Sequence, residues 1–210
     1  MRRNRDYLKD ARVIVHVSNA GVNNLRIFSS SQECNCFTEL LRDALEKMPV
    51  SMLMHVLLPE QFQMALEQFE PFAISRFMKK VCEAYAAWFN ARTRRSGHVF
   101  TRRYNGVPIP EPESLLRLAC SIHSAPVDAG VVSGPAKWRY SSYKSYLDGR
   151  SEILVDRSVL WSLVGGPAGY ARFVECYDPA DPRSAKEYLC PGALDFWKKR
   201  GLKGRRRRKK

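Results

Sequence analysis

The sequence predicts an α+β protein, on three observations. Two apolar runs rich in strand-forming residues, over 12–17 and 52–58, have the length of β-strands. Two longer stretches, over 37–48 and 74–89, repeat their apolar residues at the helical period. The chain has 210 residues, 45% of them hydrophobic and 11% aromatic, enough for one well-cored domain and a tail.

Residues 1–10 read as a basic N-terminal extension. The run Arg-Val-Ile-Val-His-Val over 12–17 is the first strand, and Asn-Ala-Gly-Val-Asn-Asn over 19–24 is turn chemistry. Ser30 and Glu33 stand at capping-box spacing. Behind them Phe37, Leu40, Leu41, Ala44, Leu45 and Met48 form one stripe, an amphipathic helix that must end before Pro49. The second strand, 52–58, is closed by Pro59. Where extended chain resumes, Gln61 and Gln63 share a face and Phe62 points into the core.

The clearest helix covers residues 73–91, with Ile74, Phe77, Met78, Val81, Cys82, Tyr85, Trp88 and Phe89 recurring at spacings of one and three. Residues 97–109 read as extended chain with a turn at Asn105-Gly106. A helix over 112–123 places Leu115, Leu118, Ala119 and Ile122 on one stripe, and Gly130 and Gly134-Pro135 break the chain after it. A short helix follows over 141–147, then one N-capped by Asp156 and ending near Gly165-Gly166, then one marked by Tyr170, Phe173, Val174 and Tyr177. The expected organisation is a folded domain over 11–150, a helical extension over 151–190 and a basic, disordered tail over 191–210.

Charge separates two zones from the rest of a chain with net charge +14. Residues 76–104 hold eight basic side chains and one acidic, Glu83, while 198–210 hold ten basic and none acidic. In the first zone Arg76, Lys79, Lys80, Arg92, Arg94, Arg95, Arg102 and Arg103 surround Trp88, Phe100 and Tyr104. Cationic groups neutralise phosphates and exposed aromatics stack on bases, so this zone is the strongest sign of a nucleic-acid partner. Trp88 fits the buried stripe, which leaves Phe100 or Tyr104 for stacking. The tail, with Arg205, Arg206, Arg207 and Arg208, would add sequence-blind, salt-dependent affinity for DNA or RNA.

Other classes are disfavoured. No apolar run approaches the roughly 18 residues that span a bilayer, and no apolar segment follows the charged start, so no membrane partner is expected and a cytoplasmic place is. The six cysteines form no CxxC pair and read as reduced thiols. His16, His55, His98 and His123 are scattered and read as structural.

Several phrases together resemble the tyrosine transposases of simple insertion sequences, above all the REP-associated tyrosine transposases. They are Val-His-Val-Ser-Asn-Ala-Gly over 15–21, Leu-Leu-Pro over 57–59, Tyr-Ala-Ala-Trp-Phe-Asn over 85–90, Ser-Gly-His-Val-Phe over 96–100 with Arg103-Tyr104, Ile-His-Ser-Ala-Pro-Val-Asp-Ala-Gly over 122–130, and Trp-Arg-Tyr-Ser-Ser-Tyr-Lys-Ser-Tyr-Leu over 138–147. The resemblance covers residues 11–177 and excludes the tail. It implies a ferredoxin-like antiparallel sheet of four or five strands with helices on one side, and binding to single-stranded DNA with a hairpin foot. It also implies chemistry in which a His-hydrophobic-His pair holds Mg or Mn and a helical tyrosine attacks a DNA phosphate.

Carried onto this chain, both centres fail. The histidine pair falls on Gln61 and Gln63, whose neutral amides are weaker ligands than imidazole. The nucleophile position falls on Ser121, and His123, two residues on, points away from it on a helix. The expectation is therefore a transposase-like DNA-binding protein of the nucleoid, without bound metal and deficient in strand cleavage. Two alternatives stay open: an active enzyme with a nucleophile moved to Tyr104, Tyr140, Tyr143 or Tyr146, and a general nucleic-acid binder acting through the tail. Members of the family often pair as dimers, and the sequence leaves a homodimer open.

Overall fold

A computed structural model of the protein describes residues 5–147, 154–176, 180 and 184–202. Strand β1 (Val13–Ala20) is followed by helix α1 (Ser31–Leu45), strands β2 (Val50–Leu58) and β3 (Gln61–Gln68), helix α2 (Ala73–Thr93) and strand β4 (Asn105–Pro108). The strands lie in the order β2-β3-β1-β4, every neighbouring pair antiparallel. This β-α-β-β-α-β succession in one open sheet is the ferredoxin-like arrangement.

The capping box starts α1 as the spacing requires. Ser30 Oγ accepts from the Glu33 amide at 3.4 Å, and Glu33 Oε2 accepts from the Ser30 amide at 2.8 Å. Both α1 and α2 pack on one face of the sheet through an aromatic knot: Phe37 stands 5.1 Å from Phe62 of β3 and 5.0 Å from Tyr85 of α2, ring centre to ring centre. Register fixes what the other face carries. Phe62 pairs with Asn19, so Gln61 and Gln63 on either side of it project to the opposite face, beside Ala20 and Ser18 of β1 and Leu58 and Val56 of β2.

The second half of the chain wraps around that frame. Helix α3 (Pro112–Asp128) packs against β2, and Tyr140–Ser142 line the outer edge of β2: the Leu57 amide donates to the Tyr140 carbonyl at 2.9 Å and the Ser142 amide to His55 at 3.0 Å. Helices α4 (Tyr143–Leu147), α5 (Ser158–Val164), α6 (Pro167–Cys176) and α7 (Ala193–Lys199) complete the structure. Asp156 Oδ1 accepts from the Ser158 amide at 2.9 Å, and Gly165, at φ +80°, ends α5 in the left-handed region.

Five expectations change. Residues 5–10, expected as a basic extension, pack on the domain: Leu8 is buried, and its carbonyl accepts from the Phe72 amide at 2.8 Å and from Gln68 Nε2 at 3.0 Å. The stretch 61–68 is a full central strand, although Ala-Leu-Glu-Gln has helical propensity; burial between two neighbours overrides it. Asn105-Gly106 opens β4 instead of forming a turn. Helix α3 runs to Asp128 through Pro126. Within the supposed tail, α7 is an ordered helix anchored by Trp197, whose Nε1 donates to the Pro110 carbonyl at 3.3 Å. Tyr177 and Arg205, Arg206, Arg207 and Arg208 lie outside the described residues.

Candidate nucleic-acid interface

The first basic zone folds into a groove of about 750 Å³ between α2 and the segment 97–104. Helical spacing brings Ser75, Lys79, Cys82, Glu83 and Ala86 to one side of α2 and makes them its wall. The facing wall is pinned to the end of β1. Val99 accepts from the Val22 amide at 2.9 Å, and the Thr101 amide donates to the Ala20 carbonyl at 2.9 Å. Thr101 Oγ1 donates to Gly21 at 3.0 Å, and Asn19 Nδ2 to the Arg102 carbonyl at 2.9 Å. The segment carries no regular secondary structure, yet three of these bonds fasten its backbone and the fourth its Thr101 side chain.

Of the basic residues singled out by sequence, Arg76, Lys79, Arg102 and Arg103 line the groove with exposed side chains. Lys80 does not line it, and Arg92, Arg94 and Arg95 cluster beyond it at the C-terminal end of α2. Arg94 holds φ +52°, a left-handed cap more often supplied by glycine. Arg92 lies over the Trp88 ring, 5.6 Å from its centre. Two aromatics expected to stack on bases are instead buried. Tyr104 is 6% exposed, its hydroxyl is 3.0 Å from Ser75 Oγ, and Arg5 covers its ring at 4.2 Å while donating to its carbonyl at 2.7 Å. Phe100 packs edge-on against Phe62. Sequence reasoning missed Arg5, Ser75 and Cys82 as lining residues. For Ser75 and Cys82 the sequence signal is the helical period that puts both on one face with Lys79; nothing local in the sequence marks Arg5.

Gln61 and Gln63 lie elsewhere. Asn19, on the groove, and Gln63 project from opposite faces of the sheet. Gln63 Oε1 is 3.3 Å from His16 Nε2, and both residues are half-buried. Burial lowers the His16 pKa, with the Gln63 contact opposing in part. A divalent metal would here meet two neutral amides, one already engaged, and among the described residues no three His, Cys, Asp or Glu side chains come together to hold an ion. The donor set does not fit the metal that the family resemblance implies.

Ser121 is exposed on α3, on a stripe with Ser114, Arg117 and Leu118, and has no side-chain partner among the described residues. His123 turns the other way. It is 1% exposed, with Nδ1 against the Tyr170 hydroxyl and Nε2 2.9 Å from Ser142 Oγ. One proton assignment satisfies the chain of contacts: Tyr170 donates to Nδ1, Nε2–H donates to Ser142, and Ser142 donates to the His55 carbonyl at 3.3 Å. Burial, with His55 nearby, pushes the His123 pKa down to about 3, so it is a neutral structural residue and not a base for Ser121. Tyr143 and Tyr146 are buried, the latter donating to the Leu53 carbonyl, and Tyr140 packs against Trp138.

No family model matches the chain, and no curated protein matches it. Among solved structures it is similar to a REP-associated tyrosine transposase bound to a REP hairpin, with a TM-score of 0.60 and 15% identity over 74% of this chain and 92% of that one. The two share a fold. A putative transposase from Deinococcus radiodurans aligns with a TM-score of 0.40 and 15% identity over 53% of this chain and 88% of that one, too distant to argue from. Among the described residues no helix is long and apolar enough to cross a membrane.

Proposed function

We propose that this protein is a transposase-like DNA-binding protein that grips single-stranded or hairpin-bearing DNA in the nucleoid and does not cut it. The observation that carries the reading is the groove in which Arg76, Lys79, Arg102 and Arg103 converge on a prebuilt wall. Five cations with Arg5 line one concavity; Arg76 is paired with Glu70 at 3.3 Å and Lys79 stands 4.0 Å from Glu83, so the positive lining that attracts a polyanion rests chiefly on Arg102 and Arg103, and fixed backbone lowers the ordering cost of binding. A solved structure that shares the fold is bound to a REP hairpin, which favours DNA as the class of partner. Loss of cleavage rests on two separate substitutions. By the family resemblance, Gln61 and Gln63 stand where the metal ligands would be and Ser121, with no base beside it, where the nucleophile would be.

The test is to incubate the protein with a labelled hairpin-bearing single strand and manganese, then separate the products on a denaturing gel. Retention of the strand on a native gel with no covalent adduct is the expected result; an adduct overturns the inactive reading. Replacing Arg102 and Arg103 together by Ala weakens retention and lowers its salt slope by about two phosphates' worth. A chain ending at Leu202 separates the groove from the tail: hairpin preference that survives the truncation belongs to the groove. Complete loss of DNA and RNA binding would return the activity to the tail. Sedimentation with and without DNA reports whether two copies pair.

A further inference from the structure

The loop between β3 and α2, Phe-Glu-Pro-Phe over 69–72, leaves two aromatic side chains in solvent. Phe69 is 40% and Phe72 43% exposed, two of the four large apolar side chains left open among the described residues. The backbone that carries them is fixed. The Phe69 amide donates to the Pro49 carbonyl at 3.0 Å, and the Phe72 amide to Leu8 at 2.8 Å. Beneath the loop the buried Gln68 side chain clamps both flanks. Its Nε2 donates to the Leu8 and Asp10 carbonyls at 3.0 and 2.7 Å, and its Oε1 accepts from the Ile74 amide at 3.2 Å. Phe72 holds φ +60°, in the left-handed region where a side chain of this size is an outlier. The fold thus tolerates a strained backbone to present a ring that its core does not use.

Charge sets this surface apart. The protein carries +14, so two copies repel each other over most approaches. The loop and the segment packed on it, 69–76 and 6–12, hold three basic residues, Lys9, Arg12 and Arg76, and three acidic, Asp6, Asp10 and Glu70. Glu67 and Arg200 beneath them add one of each sign. Lys9 Nζ is 2.9 Å from Asp6, Arg76 Nη2 is 3.3 Å from Glu70, and Arg12 lies over the Phe69 ring at 5.2 Å. A rim without net charge around exposed aromatics has little to offer a polyanion; it has the composition of a protein contact. It also suits its own copy, because each rim presents both signs to the other. We propose that the 69–72 loop is a self-association surface, on which Phe69 and Phe72 pack against the same residues of a second copy of this chain around a two-fold axis. Arg76 joins this surface to the groove: its guanidinium donates to the Pro71 carbonyl at 3.1 Å and also lines the groove. The pair would carry two grooves whose Arg76 ends flank one axis.

Analytical ultracentrifugation of the nuclease-treated full chain, without DNA, tests this. The chain should pass from monomer to dimer as its concentration rises through the micromolar range. Added salt should leave the dimer as it is or strengthen it, because salt screens the repulsion between two cationic bodies around an apolar contact. Phe69→Ser and Phe72→Asn should each weaken the dimer at least about tenfold. Phe72→Asn carries the sharper signature. Asparagine accepts left-handed backbone, so the melting temperature of the monomer should hold or rise while the dimer is lost. Pro71→Cys gives an independent readout: a thiol on the loop meets its symmetry mate, and oxidation should yield a disulfide-linked dimer that the parent, with its own cysteines, does not form. A chain that sediments as a monomer at every soluble concentration, a dimer that salt dissolves, a dimer that persists in both phenylalanine variants, or no added crosslink at position 71 overturns the proposal. None of these readouts uses DNA, so hairpin retention by the Phe72→Asn chain reports on the groove separately.

Discussion

Arg200, at the end of α7, reaches the sheet at Glu67: its Nη2 stands 2.6 Å from Oε2 of a carboxylate with no solvent exposure. The other oxygen of Glu67 takes a 2.8 Å bond from Arg12 Nε. One buried carboxylate thus joins the start of β1, the middle of the sheet and the last helix. Removing it strands two guanidinium groups, one of them mostly buried. Glu67→Ala should cost about 3 kcal/mol in urea unfolding. Arg200→Ala should cost less but free the C-terminal helix, read as faster hydrogen exchange across 193–199.

The His123 network predicts a pH signature. In the folded chain this imidazole titrates at about 3, and in the unfolded chain near 6.5. Between those values only the unfolded state binds the proton. Its contribution to stability is therefore full above about pH 6.5 and falls as pH drops, by up to about 1.4 kcal/mol per unit. His123→Gln should lower stability by about 2 kcal/mol at pH 7.5 and flatten the pH 4–6 slope of the unfolding free energy by about one proton.

Gly106 faces a crowded site. A Cβ built there would lie 2.4 Å from the Tyr7 hydroxyl oxygen and 3.2 Å from the Tyr104 ring. Gly106→Ala should destabilise the protein by about 1–3 kcal/mol and shift the Tyr104 and Arg5 pair that lines the groove. Thermal unfolding and DNA affinity should fall together, which ties the narrow β4 to the binding surface.

Introducing histidine tests the reading of the sheet's other face. Gln61 and Gln63 share a face of β3, and His16 already lies within hydrogen-bonding reach of position 63. Gln61→His with Gln63→His should therefore create an imidazole cluster. Micromolar zinc is expected to raise the melting temperature of the double variant and leave that of the parent unchanged. No zinc effect on either would mean that the strand no longer presents the two positions as a chelating pair.

How much of this was legible in the chain depends on the range of the forces involved. Helices α1 and α2 were readable because capping at Ser30 and a periodic stripe are local signals. Strand β3 was readable only at its start, over Gln61 to Gln63; the rest takes extended form because β1 and β2 flank it. Helix α7 was hidden by the cations that follow it; Trp197 and the Glu67 contact hold it, and neither is visible in composition. The site was half legible. Charge counting found Arg76, Lys79, Arg102 and Arg103, but Tyr104 looked exposed because its cover, Arg5, is 99 residues away. Nor could spacing reveal that the groove and the glutamine pair stand on opposite sides of one sheet.

That two-sidedness has an evolutionary consequence. A pleated layer insulates what is mounted on its front from what is mounted on its back. Drift at Gln61 and Gln63 carries little penalty for the groove beside Asn19, because no side chain is shared between them. Changes at positions 61 and 63 can therefore accumulate without disturbing the wall of the groove, and the wall can change without reaching them.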